Sequence, residues 1–183
     1  AYSLEIVTTG FDLRDLNLPD LPATRLNSVV TFNGSGLDLQ NIQLNMDLRV
    51  NRSVINEWEV ESLGIVGSYS DYQLSSRILY REGRSTLTGF FDLDHETIPD
   101  FSLRGRFTQV DLSKYLPEGI LENTDHDFEI NLFARGEDLN TLTGRINLDI
   151  DKAIIAGDTL APHQFYADLS DVSAGQREFR FTS

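Results

Sequence analysis

Ile42, Leu44, Met46, Leu48 and Val50 alternate with Gln43, Asn45, Asp47, Arg49 and Asn51. A period of two places one set of side chains on one face of a strand, whereas a helix would scatter them around its circumference. The same period recurs along the chain. Val30 and Phe32 precede it. Tyr72, Leu74, Ile78 and Tyr80 follow, with Gln73, Arg77 and Arg81 opposite. Further sets are Leu87, Phe91 and Leu93; Phe101, Leu103 and Phe107; Phe128, Ile130 and Leu132; and Ile146, Leu148 and Ile150. Phe165, Ala167 and Leu169 make another, and Phe179 with Phe181 the last.

Turn chemistry separates the runs at Asn33-Gly34-Ser35-Gly36, Arg81-Glu82-Gly83, Ala156-Gly157-Asp158 and Ser173-Ala174-Gly175. Short strands joined by short turns predict an antiparallel meander with one apolar face. Helix is confined to two corners, Asp12 to Leu16 and Asp111 to Leu116. Each has room for one turn with the aspartate as N-cap, and Pro19, Pro22 and Pro117 stop the helix beyond.

The two halves also match in order. At an offset of 100, Gly36, Asp38 and Leu39 fall on Gly136, Asp138 and Leu139, and Val30 and Phe32 on Ile130 and Leu132. Ile42, Met46, Leu48 and Val50 fall on Leu142, Ile146, Leu148 and Ile150. At an offset of 99, Leu4, Asp12 and Leu13 fall on Leu103, Asp111 and Leu112. The shared order predicts a repeat of about 100 residues, with a first unit at 1–99 and a truncated second at 100–183. Such units pack on neighbours instead of closing their own cores. Both ends of the chain fall inside alternating runs, which predicts a fragment of a longer protein.

Charge narrows the partners. The 183 residues carry a net charge of -14 with a pI near 4.4, so the surface repels phosphate backbones and anionic headgroups at long range. Nucleic acid is excluded on that ground, and any membrane contact has to be apolar. Cysteine is absent, which removes thiol catalysis and thiolate metal sites. No stretch approaches the roughly 20 apolar residues of a spanning helix.

Chemistry-bearing motifs are sparse. The histidines are His95, His126 and His163. Asp92, Asp94, His95 and Glu96 form one acidic cluster and Asp125-His126-Asp127 another. Both read as solvated turns rather than converging metal ligands. Serine elbows, phosphate loops and zinc-protease motifs do not occur. The expectation is a protein that is not an enzyme and needs no cofactor or metal. Trp58 reads as a packed strand residue. Phe90, Phe133 and Tyr166 fall on the nominally polar face.

One further pattern carries a resemblance. Gly136-Glu137-Asp138-Leu139 leads into Leu142 to Ile150, then Ile154-Ile155-Ala156-Gly157, a run from Phe165 to Leu169, and Phe179-Arg180-Phe181. That order resembles the repeat domain of the TamB family, the inner-membrane-anchored subunit of the translocation and assembly module, and more widely the AsmA-like proteins. The resemblance implies an all-β fold: one elongated antiparallel sheet curled into a U-shaped trough, a β-taco, apolar inside and polar outside. It implies phospholipid acyl chains as ligand, a periplasmic location, an inner-membrane anchor on the parent protein, and an outer-membrane barrel partner reached through parts not recognisable here.

On that reading the groove is lined by Val30, Phe32, Ile42, Leu44, Met46, Leu48, Val50, Tyr72, Leu74, Ile78, Leu87 and Phe91. It continues through Phe101, Leu103, Phe107, Phe128, Ile130, Leu132, Ile146, Leu148, Ile150, Phe165, Leu169, Phe179 and Phe181. Alternation by itself also fits the dry core of a closed sandwich or barrel, such as an adhesion module. Exposed strand edges would suit a scaffold for assembling other β-proteins.

Overall fold

The computed structural model describes the chain except residues 17–22, 37, 39–40, 56–57, 115–123, 138–140 and 174–175. For residues 16, 58, 114, 171–173 and 176–177 only the backbone is described. The fold is all-β: the described residues form twelve strands and two short 3-10 turns, at Leu13–Leu16 and Leu112–Lys114. The chain divides into two compact units, Ala1–Gly83 and Arg84–Ser183.

Unit 1 contains β1 (Tyr2–Phe11), β2 (Thr24–Ser35), β3 (Gln43–Ile55), β4 (Trp58–Ser70) and β5 (Gln73–Glu82). They pair in chain order, each antiparallel to the next. Unit 2 contains β6 (Ser85–Asp94), β7 (Asp100–Val110), β8 (Asp125–Arg135), β9 (Thr143–Ile155), β10 (Asp158–Leu160), β11 (His163–Ser173) and β12 (Gln176–Thr182). These too form an antiparallel meander, except that β9 takes two partners on one side. β10 pairs Ala153 to Ile155, and β11 pairs Gly144 to Ile150. Pro162 lies between β10 and β11, where its missing N–H would break a continuous ladder. The expected boundary at 99/100 follows the sequence offset. The compact units part at Gly83/Arg84 because β6 zips onto β7 from Thr86↔Thr108 to Asp94↔Asp100.

Each unit has one elaborate corner, and the two corners use the same hydrogen bonds. In unit 1 the pairing runs to Thr8↔Ser28 and resumes at Phe11↔Leu26. In unit 2 it runs to Phe107↔Phe128 and resumes at Val110↔His126. The extra residues include Gly10 at φ 62° and Gln109 at φ 54°. Left-handed backbone suits glycine and strains glutamine. The N–H freed by the bulge is captured by a side chain on the partner strand: Gly10 donates to Asn27 Oδ1 at 2.9 Å, and Gln109 to Asp127 Oδ1 at 2.7 Å.

The 3-10 turn then begins under an aspartate cap, as the sequence predicts. Asp12 Oδ1 accepts the Arg14 N–H, and Asp111 Oδ1 accepts the Ser113 N–H. A buried threonine closes each corner. Leu13 N–H donates to Thr24 Oγ1 at 2.7 Å, and Leu112 N–H to Thr124 Oγ1 at 2.6 Å. Arg14 hydrogen-bonds the Asp12 carboxylate and holds its pKa well below the usual range.

Three sequence expectations change. Tyr72 is not part of the β5 run; it shares a tight turn with Asp71, both in the left-handed region at φ 63° and 50°. That geometry matches the twist of a two-residue hairpin; Asp71 suits its first position, but Tyr72 stands where glycine is usual, so the sequence signal is incomplete. Gly34 lies within β2 rather than in a turn. An added Cβ there would sit 2.4 Å from the Gln43 carbonyl oxygen.

Asp125-His126-Asp127 is the start of β8, not a solvated turn, and His126 is 7% exposed between Val110 and Ala153. Its Nε2 has no partner among the described residues. Asp92 and Asp94 likewise belong to β6, with His95 and Glu96 just beyond. Pro19, Pro22, Pro117 and the Asp138-Leu139 pair lie outside the described residues, as do Leu39 and the Trp58 side chain.

Two outcomes follow for the corners. Thr124→Val removes the acceptor of a buried N–H and is expected to cost about 1–3 kcal/mol in urea denaturation, with Thr24→Val similar. Desolvation lowers the His126 pKa, while the charges of Asp125 and Asp111 oppose the shift. The folded state therefore binds a proton less readily than the unfolded chain, whose histidine titrates near about 6.5. Stability is expected to fall as pH drops below that value toward the folded pKa. Urea midpoints at pH 7.5 and 5.5 should differ less in His126→Leu than in the wild type.

Candidate functional site: an open apolar sheet face

Strand register decides which side chains share a face, since residues paired across an antiparallel ladder point the same way. In unit 1 the pairings stack into rows. Leu4, Phe32, Met46 and Gly67 form one, and Ile6, Val30, Leu48, Ile65 and Ile78 the next. Val50, Leu63 and Tyr80 continue the face in one direction, and Gly34, Leu44, Tyr69 and Leu74 in the other. Every paired unit 1 strand residue expected to line the groove belongs to these rows. Ile42 stands just before β3 and Tyr72 in the turn before β5.

Unit 2 is built the same way. Leu87, Phe107, Phe128 and Ile150 form a row, followed by Gly89, Gly105, Ile130, Leu148 and Phe165. Phe91, Leu103, Leu132, Ile146, Ala167 and Phe181 form the third. Leu93, Phe101, Ala134, Gly144, Leu169 and Phe179 form the fourth. All of the unit 2 residues expected on the apolar face are brought together here. Among the described residues, the titratable side chains on this face are His163, opposite Ile150, and the buried His126, two residues before Phe128 on β8.

Ring pairs tie neighbouring strands together. Phe107 stacks on Phe128 with centroids 4.5 Å apart, and Phe165 lies 5.9 Å from Phe181. Cross-strand pairs of this kind contribute roughly 0.2–1 kcal/mol each. The fourth row changes size along its length, from large side chains to Ala134 and Gly144 and back. Strands β8 and β9 approach so closely there that a Cβ on Gly144 would sit 2.5 Å from the Phe133 carbonyl oxygen. The small pair floors an apolar cleft of about 220 Å3 between Phe101, Leu169 and Phe179.

The opposite face takes the charge. In unit 2, Arg106 pairs with both Glu129 and Asp151, and Lys152 with Asp125 at 2.7 Å. In unit 1, Arg49 meets Asp47 at 2.7 Å and Arg81 meets Glu61 at 3.1 Å. These pairs are solvated and contribute little individually. Their weight is in sorting: a one-residue slip of any strand would move its charges to the apolar face.

Burial separates an open face from a closed core. Among the described residues, the buried hydrophobic ones are Val50, Val60, Val110, Ala134 and Ala153. Of the apolar residues expected to line the groove, Val50 alone is buried; the others are half-buried or exposed, up to 67% for Phe179. A sandwich or closed barrel would cover most of them, as interiors pack to crystal-like density. The sheet stays open instead, and the closed alternative does not describe either unit.

No family model, no curated protein and no solved structure matches the chain.

An open face responds weakly to truncation. Leu148→Ala is expected to cost roughly 1 kcal/mol, half the transfer energy of a fully buried leucine, rather than the about 2–5 kcal/mol of a closed core. Equilibrium urea denaturation of the two proteins measures the difference.

Proposed function

We propose that this chain is a segment of a non-enzymatic lipid conduit, whose apolar sheet face accepts phospholipid acyl chains and lets them move along it. The observation that carries the reading is the combination of register and burial: large apolar side chains from neighbouring strands fall on one face of each unit, in rows without Asp, Glu, Lys or Arg, and yet stay half-buried or exposed rather than sealed. Leaving such a face to water is unfavourable at about 25 cal/mol per Å2. Acyl chains in water pay about 0.8 kcal/mol per methylene. Bringing the two together relieves both. Because the face offers no directional polar contact, a chain can slide on it as well as rest.

The resemblance to the TamB and AsmA-like proteins supports the rest of the proposal. In this reading the sheet belongs to a U-shaped trough built from repeats of about 100 residues, in a periplasmic protein anchored in the inner membrane. Its outer-membrane barrel partner is engaged by other parts of the parent. The recurrence of the bulge, cap and threonine bonds at Gly10, Asp12 and Thr24 and again at Gln109, Asp111 and Thr124 supports the repeat. The acidic charge keeps the outside soluble.

A second reading is a scaffold for outer-membrane or secreted β-proteins. It is favoured by β1, whose single ladder partner is β2 and whose Leu4, Ile6 and Val7 are 52%, 43% and 62% exposed. An unpaired edge can add a client strand. Photo-cross-linking from β1 separates the two, since it captures polypeptide in this case and acyl chains in the first.

Transfer of a fluorescent phospholipid between vesicles tests the conduit. Leu48→Asp and Leu148→Asp place a charge in the middle of an apolar row and are expected to cut protein-dependent transfer at least about tenfold, the effect of roughly 1.4 kcal/mol. Asn147→Asp, on the polar face, is expected to leave it unchanged. Transfer that survives both apolar-face charges would rule the mechanism out.

A further inference from the structure

The polar face of unit 2 departs from its own pattern. Phe90, Phe133 and Tyr166 stand among its charges, 45%, 37% and 40% exposed. Two of them flank the polar middle of one cross-strand row, Phe90, Arg104, Asn131, Asn147 and Tyr166, contributed by five neighbouring strands, beyond which β12 adds Thr182. Four strand spacings of about 4.8 Å separate the two rings, roughly 19 Å in all. Between them lie a guanidinium and two carboxamides. Asn131 has no side-chain hydrogen bond among the described residues, while Asn147 donates to Asp149 at 3.0 Å. Phe133 stands next to Asn131 one pleat further along β8.

The row borders a depression of about 480 Å3 lined by Thr88, Phe90, Arg104, Arg106, Glu129 and Asn131. Its charges are engaged with one another. Arg106 is held by Glu129 and Asp151, and Arg104 lies 3.8 Å from Asp92 and 5.9 Å from the centre of the Phe90 ring. Two arginines face three carboxylates, so the patch is slightly acidic but nearer balance than the chain as a whole. An anion gains little there, and a cation finds the carboxylates already engaged by the arginines. A neutral ligand gains more: one with an apolar flank for the rings and hydroxyls that can both donate and accept. The outward groups supply both roles, guanidinium and carboxamide N–H as donors, carboxylate and carboxamide oxygens as acceptors.

From this geometry we infer that the polar face of unit 2 is a binding strip for an extended neutral oligosaccharide. The chain lies across the strands from Phe90 to Tyr166, one ring under a sugar at each end and Arg104, Asn131 and Asn147 bonding the hydroxyls between. Each strand spacing is close to the rise of one sugar in a β-linked glycan, so successive sugars meet successive strands. The strip uses the face opposite the apolar rows and does not depend on lipid binding.

Titration of the purified chain with cellopentaose and with chitopentaose, read by calorimetry and by saturation-transfer NMR, tests the strip. Saturable binding to at least one is expected. Phe90→Ala and Tyr166→Ala should each weaken it about fivefold, the worth of one ring contact. Asn131→Ala should weaken it as well, whereas Phe90→Tyr and the apolar-face variant Leu148→Asp should retain it. Circular dichroism identifies any variant that fails to fold, and Phe90→Tyr preserves the ring where Phe90→Ala does not fold. Absence of binding to both sugars, or binding left intact by both ring removals, overturns the inference.

Discussion

Strand register is the constraint on which the rest depends. Side chains alternate with a period of two, so a slip of one residue in any strand would invert its faces, carrying Arg106 or Asp149 among the phenylalanines. The bulged corners pin that register in each unit. The left-handed residue at position 10 or 109 can exist only where its N–H finds Asn27 or Asp127. The threonine bond a few residues later fixes how the chain re-enters the sheet. Glycine carries the bend without strain in one corner. Glutamine carries it in the other, and the same hydrogen bond holds it there.

A sheet so ordered has an unusual energetic position. Its polar face is satisfied by ion pairs of small individual weight, and its apolar face is organised by cross-strand rows that half-bury it without sealing it. Among the described residues Ser53, not a large hydrophobe, is the most deeply buried side chain, at 1% exposed. It works at an unpaired stretch of the β2–β3 ladder, where its Oγ accepts the Asn27 N–H at 2.8 Å. Cohesion thus resides in ladders and corners, and the apolar side chains remain available to something else. Acyl chains are the occupant proposed here because the face asks only for an apolar surface and offers no hydrogen bond to direct anything more specific. The opposite face is the more discriminating one, with rings and paired charges at fixed spacings.

Much of this was legible in the alternation. The apolar sets from Val30 to Val50 and from Leu87 to Phe181 fall on common faces because a half-buried strand writes its burial directly into a period of two. The aspartate-capped corners were legible for the same local reason. What escaped was non-local or conformational. Asp71 and Tyr72 adopt a left-handed turn whose second position holds a tyrosine in place of the usual glycine. His126 looked solvated because it sits between two aspartates, yet the partner strands bury it against Val110 and Ala153. Alternation alone was also silent on whether the apolar face is covered, because the inner face of a closed sandwich and an open sheet carry the same pattern. Only burial distinguishes them.

The chain's lack of cysteine makes that distinction directly measurable. A thiol at Leu148→Cys, in the middle of an apolar row, can be followed by its rate of reaction with a water-soluble maleimide under native conditions. Arg145→Cys on the opposite face, at an exposed position, serves as the reference. An uncovered face predicts rates of the same order for the two, with the Leu148→Cys rate alone slowed when phospholipid vesicles are added. Modification of Leu148→Cys that waits for denaturant, as in a dry interior, would contradict the account.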